Sequence, residues 1–218
     1  MSLSGSPTVR GLSSARRFLR NSPSSLRGIL LVMLPSMTPK APGKAGRFSS
    51  QDESLPGWVS PLFAHATAAA AAWGPIEILQ YSPVPRADFM KPVLDTGADD
   101  LDAPLSFSVK GPVTAVNAVL PGMRELGRGT LLFVNGGSAV RPHPDRAGTS
   151  IAFAAESAYA RMLHDALAPQ NIHAAQLIIP GAIRPDAEHS SPDALAQRLY
   201  AIHRERDGFR HYAEPLPD

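Results

Sequence analysis

Thr130-Leu131-Leu132-Phe133-Val134 leads into the turn Asn135-Gly136-Gly137-Ser138, and Ala174-Ala175-Gln176-Leu177-Ile178-Ile179 leads into Pro180-Gly181. Each is an apolar run of strand length closed by a glycine turn, the pattern of a strand covered on both faces. Between the two runs, from about Ser150 to Leu167, lies a stretch of helical composition. A further apolar strand, Ile76 to Tyr81, follows the helix stop Trp73-Gly74-Pro75. It is separated from Thr130 by a long helical pattern, Pro104 to Leu126, with Val109, Val113, Val116, Val119, Leu120 and Met123 on overlapping faces. Gly127-Arg128-Gly129 stops that helix, and a last one runs from about Pro192 to Arg204.

Strands that alternate with helices need crossover connections, so the expected fold is α/β, a Rossmann-like parallel sheet with helices on both faces. Ligands of such sheets sit outside the carboxyl ends of the strands. Here those ends are Tyr81-Ser82-Pro83, Asn135 to Ser138 and Ile179-Pro180-Gly181, and any site is expected in these three loops. Ser138 offers a hydroxyl that could polarise a carbonyl, although turn serines commonly bond only local backbone. Tyr81 ends its strand beside a loop carrying Arg86, Asp88 and Lys91 and is expected to face the cleft, the bland alternative being a half-buried packing residue. An enzyme working in this cleft by proton transfer would need Tyr81, Ser138 or Glu156 as its acid/base group. Gly136-Gly137-Ser138-Ala139-Val140 lacks the last glycine of a hydrolase nucleophile elbow.

The remaining composition mostly excludes. There is no cysteine, which removes disulfides, thiolate metal sites and cysteine nucleophiles. The histidines form no HExxH-type pair, so a metal site is not expected. The net charge is +2, but residues 1–57 hold eight Lys/Arg against Asp52 and Glu53. That segment is rich in Ser, Pro and Arg and is expected to be poorly ordered, with residues 58–218 forming the partial α/β domain. Its composition is also that of an organellar transit peptide; a cytoplasmic location is otherwise expected. It lacks a nucleic-acid reader motif, and no apolar run reaches the ~18–20 residues of a membrane span. Two pieces within it have ordered character: Leu12 to Arg20 as a helical turn or two, and Ile29 to Leu34 as an apolar run of strand length.

The passage Trp73-Gly74-Pro75-Ile76-Glu77-Ile78-Leu79 resembles the helix-to-strand passage of the short-chain dehydrogenases/reductases (SDRs). Gly111-Pro112 through Leu120-Pro121-Gly122-Met123 resembles their long interface helix. Gly129 to Val134 is similar to the strand that delivers their catalytic serine, and Ile172 to Ile183 to their later strand and Pro-Gly cofactor loop. Ser13-Ser14-Ala15-Arg16-Arg17-Phe18 resembles the far end of their first helix. The resemblance implies hydride transfer between NAD(P) and a small carbonyl or alcohol, in a homo-oligomer. It also implies cofactor contacts at Tyr81, Ser82, Pro83, Gly136, Pro180, Gly181 and Ile183, with Ser138 standing in for the family's serine, which itself falls on Gly136.

The family's chemistry needs a tyrosine and a lysine four apart on one helix face, so that the ammonium lowers the phenol's pKa. None of the four lysines, Lys40, Lys44, Lys91 and Lys110, follows a tyrosine at that spacing. The resemblance sets Phe153 on the tyrosine position and Ser157 on the lysine position, or Thr149 and Phe153 there by an ungapped count, and Ser108 on that of the helix asparagine. No GxxxGxG or GxGxxG occurs, and no strand preceding such a turn is evident. Nucleotide binding is therefore expected to be weak and catalysis doubtful, as in a pseudoenzyme, the alternative being a non-catalytic Rossmann-like binding or dimerisation protein.

Overall fold

The computed structural model describes residues 74–216 and the strand at 29–34; the expectations for the rest of the basic segment and for the alanine-rich helix near Ala68 fall outside them. Five strands form one sheet in the order β1-β2-β3-β4-β5. They are β1 (Ile29–Leu34), β2 (Ile78–Pro83), β3 (Gly129–Gly136), β4 (Ile172–Ile179) and β5 (Arg210–Tyr212). Every neighbouring pair is parallel. The helices are a single turn α1 (Asp102–Leu105), α2 (Gly111–Leu126), α3 (Ala147–Leu167) and α4 (Pro192–Glu205). The alternation expected from sequence is thus observed, with element ends shifted by a few residues.

Two findings correct the sequence reading. The apolar run Ile29–Leu34 is not isolated: it pairs along its whole length with β2, supplying an outer strand ahead of it. The run that reads as strand length in sequence is therefore a strand beside β2, and the sequence after it is Pro35-Ser36-Met37 rather than a glycine turn. β5 was missed because three residues are too few to display a period.

Strand alternation sorts the core into two layers. Leu79, Tyr81, Leu131, Phe133, Ile172 and Ala174 pack under α2 and α3. Ile78, Leu132, Val134, Ala175, Leu177 and Ile179 pack on the other face against Leu195, Leu199 and Ile202 of α4. The steps β2 to β3, β3 to β4 and β4 to β5 all move the same way across the sheet. Because α4 lies on the face opposite to α2 and α3, the last crossover has the opposite hand to the two before it, a departure from the usual rule.

The long helix predicted over Pro104 to Leu126 is interrupted by a π-helical turn at Ser106–Lys110. Its widened ladder leaves the Phe107 carbonyl to accept a hydrogen bond from the Tyr81 hydroxyl. Gly127, at φ 64° in the left-handed region, ends α2 while Arg128 N–H reaches back to the Met123 carbonyl.

Candidate active site

Parallel pairing brings the three predicted loops to one rim. Tyr81 stands opposite Phe133 across β2 and β3, and Gly136 opposite Ile179 across β3 and β4. A Cβ placed on Gly137 would lie 3.5 Å from Pro180 Cα, so a single methyl group would already bring the two turns into van der Waals contact. Ser138 sits half-buried in the 3-10 turn Gly137–Ala139, and Gly181 and Ile183 are exposed, Ile183 at 55%. Ser82 accepts a hydrogen bond from Gln80 Nε2 at 2.9 Å, and Pro83 is buried.

Tyr81 behaves differently from the expectation that it faces the cleft. It is 1% exposed, lies in the layer under α2 and α3, and donates its hydroxyl to Phe107. Burial, aided by the nearby Glu156 carboxyl, holds its phenol far above the usual range, so it stays protonated near neutral pH. The physical reason is parity: Tyr81 shares its strand face with Leu79, which is core. Its loop neighbours pair locally, Arg86 with Asp88 and Lys91 with Asp100.

Below the rim, α3 lays a polar chain against the sheet. Phe153, on the tyrosine position, is 3% exposed and packs with Ala139 and Ile178. Ser157, on the lysine position, donates to Gln176 Oε1 at 2.9 Å and accepts from Arg210 Nη2 at 2.8 Å. Arg210 also donates to Gln176 Oε1, and Gln176 Nε2 donates to Asn135 Oδ1 at 2.8 Å. The bonds received by Gln176 Oε1 fix its amide orientation and, through it, that of Asn135.

Beyond Asn135 the chain ends at Glu156, which is wholly buried. Asn135 and Ser108 lie close enough to favour its ionised form, yet burial dominates and raises its pKa well above the carboxylate norm. Neither carboxyl oxygen, nor the Asn135 amide nitrogen, reaches a hydrogen bond of good geometry. A protonated carboxyl is the form that such a site favours. The sequence reading offered Glu156 as an acid/base group of the cleft; with no exposed surface, it lies below the rim rather than in it. Its spacing carried the signal, since Glu156 falls four residues from both Ala152 and Ala160, two core positions.

The C-terminal segment was not foreseen at this site. After β5, Ala213 N–H bonds the Ile178 carbonyl at 2.9 Å, and the chain then crosses the rim. Glu214 Oε1 comes within 3.3 Å of a Cβ placed on Gly181, and Leu216 Cδ2 within 3.8 Å of one placed on Gly137. Leu216 packs against the cluster of Ala139, Phe153 and Ile178. Among the described residues, no group of His, Asp and Glu could hold a metal ion, and no helix is long and apolar enough to cross a membrane.

No protein-family model and no curated protein matches the sequence. Solved structures do match. A short-chain dehydrogenase from Novosphingobium aromaticivorans aligns at TM-score 0.63 and 19% identity, over 72% of this chain and 58% of that one. This chain therefore spans little more than half the length of that protein. One from Rhodopseudomonas palustris aligns at TM-score 0.60 and 21% identity over 72% of this chain and 70% of that one. A metagenomic short-chain oxidoreductase in complex with NADP aligns at TM-score 0.59 and 18% identity, over 73% of this chain and 70% of that one. With one parallel sheet, helices on both faces and this likeness, the chain has the fold of the short-chain dehydrogenases/reductases.

Proposed function

We propose that this protein is an SDR-type NAD(P)-dependent oxidoreductase by descent, in which the nicotinamide side of the rim persists while the tyrosine–lysine proton relay has been lost. The observation that carries the reading is the close approach of the Gly136-Gly137 turn to Pro180, which sets bare backbone beside the carboxyl ends of adjacent parallel strands. A planar ring could approach such backbone without meeting a side chain. The fit is partial. Gly136, Pro180, Gly181 and Ile183 would hold the nicotinamide end, whereas the chain contains no glycine-rich turn for the pyrophosphate. NAD(P), when bound, supplies a hydride acceptor or donor for an alcohol or carbonyl.

This chain's own residues then do less than the family's. Ser138 carries a half-buried hydroxyl in the β3 turn that would polarise a carbonyl oxygen. Phe153 can neither give nor take a proton, and Ser157 is occupied by Gln176 and Arg210. The expected result is weak binding with little or no turnover. Thermal melts with NADPH and NADH, in the full chain and in a chain ending at Ala213, are expected to rise at millimolar nucleotide. Occupancy at a hundred times the dissociation constant would add about 2.7 kcal/mol. No shift with either nucleotide in either chain would overturn the proposal.

Pairing of copies belongs to the same reading. α3 presents Ile151, Ala155, Ala158 and Met162 outward at helical spacing, with Ile151 43% and Met162 62% exposed. A second copy laid on this stripe would cover it. Met162→Glu is expected to convert a dimer to a monomer in sedimentation velocity; a monomeric parent would refute the pairing.

A further inference from the structure

The nucleotide reading leaves the segment Glu214–Leu216 without a role, although it crosses the proposed site. We infer that this segment is a self-inhibitory strap, with Leu216 as the plug that fills the substrate side of the rim. The inference rests on the rim being the ligand site, as proposed above.

Three observations carry it. Leu216 lies near Gly137 and packs against the buried cluster of Ala139, Phe153 and Ile178 just below the β3 and β4 turns. Glu214 Oε1 lies beside Gly181, which stays exposed, so one short piece of chain reaches both turns proposed to receive the nicotinamide end. The strap is held from one side only. A depression of about 520 Å³ opens along it, bordered by His189 and Tyr212 as well as by Ala213 to Leu216.

The backbone bond from Ala213 to Ile178 is the last ladder contact before the strap, which makes Ala213 the hinge. Pro215 can donate no backbone hydrogen bond to hold the strap down. Lifting Glu214–Leu216 therefore breaks mainly the contacts of one half-buried leucine, a modest cost compared with unfolding the domain. A ligand that needs the uncovered rim then binds with an affinity reduced by the fraction of time the strap is open.

The chain has no cysteine, so Ala139→Cys introduces a sole thiol beneath the plug, at a position 7% exposed. Its alkylation by iodoacetamide is to be compared in the full chain, in a chain ending at Ala213, and in a full-length Leu216→Ala variant, with melts confirming that each is folded. The shortened chain is expected to label about tenfold faster and the Leu216→Ala chain about threefold faster, from the larger open fraction. NADPH affinity is expected to rise in the same order. Equal labelling in all three chains would overturn the strap, whatever the nucleotide does. Faster labelling with no nucleotide binding in any chain would keep the strap and remove the nucleotide reading. Should the shortened chain fail to fold, the Leu216→Ala chain decides alone, since it removes only the plug's contacts.

Discussion

Ser157→Lys is expected to lower the stability of this protein by about 3–5 kcal/mol, the penalty for an uncompensated buried charge. Ser157 is 4% exposed, and its oxygen already accepts from the Arg210 guanidinium at 2.8 Å. An ammonium there would displace the hydroxyl that Gln176 and Arg210 share and stand beside a permanent positive charge. Ser157, which the resemblance to the SDR family sets on the lysine position, is thus a structural junction linking α3, β4 and β5. Restoring Tyr and Lys together, as Phe153→Tyr with Ser157→Lys, is accordingly expected to cost folding without returning turnover. Urea denaturation followed by circular dichroism checks the first expectation. A Ser157→Lys midpoint equal to the parent's would mean that the lysine finds open space, and the junction argument would fall.

Glu156→Gln is expected to stabilise the protein at alkaline pH, by about 1–3 kcal/mol, because it removes the cost of burying an ionisable carboxyl with incomplete hydrogen bonding. The sign follows from linkage. The folded carboxyl has a raised pKa, so above the ordinary value of 4.5 the unfolded chain releases a proton that the folded chain keeps. Stability from this group is full below that value and is lost as pH rises through the folded pKa. The histidines act in the opposite direction. Burial first, then the Arg206 charge, lowers His173 to about 4, and burial also lowers His203 and His211. Their share of stability is full above pH 6.5 and is lost as pH falls toward the folded values.

The parent therefore has two opposed slopes between pH 4.5 and 6.5. Melting temperatures across pH 5 to 8.5 are expected to carry a fall for the parent as pH rises through the folded Glu156 pKa, and to lose that fall in Glu156→Gln. His173→Leu is expected to flatten the acid side while leaving that fall. An unchanged fall in Glu156→Gln would contradict the assignment.

The parts of the fold legible in the sequence were those written in long, repetitive patterns. β3 and β4 are continuous apolar runs ending in glycine turns, and α3 extends 21 residues from Ala147 to Leu167, so the three-loop rim followed from topology alone. The rest is carried by features with short or ambiguous signatures. The π turn at Ser106–Lys110 has no composition of its own. Ile29–Leu34 lacks the glycine turn that would mark it as a strand of this fold, and its place beside β2 is a long-range pairing.

The direction of Tyr81 and the depth of Glu156 were readable in principle, from strand parity with Leu79 and helical spacing with Ala152 and Ala160. The strap could not be read, because Glu-Pro-Leu after a short edge strand looks like any terminal loop. Its significance comes only from the turns it crosses.

The most direct test of the account is to follow backbone amide resonances while NADPH is added, in the full chain and in the chain ending at Ala213. The amides of residues 135–139 and 181–183 are expected to shift together, at lower nucleotide concentration in the shortened chain. Shifts confined to other residues, or no shift in either chain at millimolar NADPH, would contradict the claim that a nicotinamide site survives on this rim.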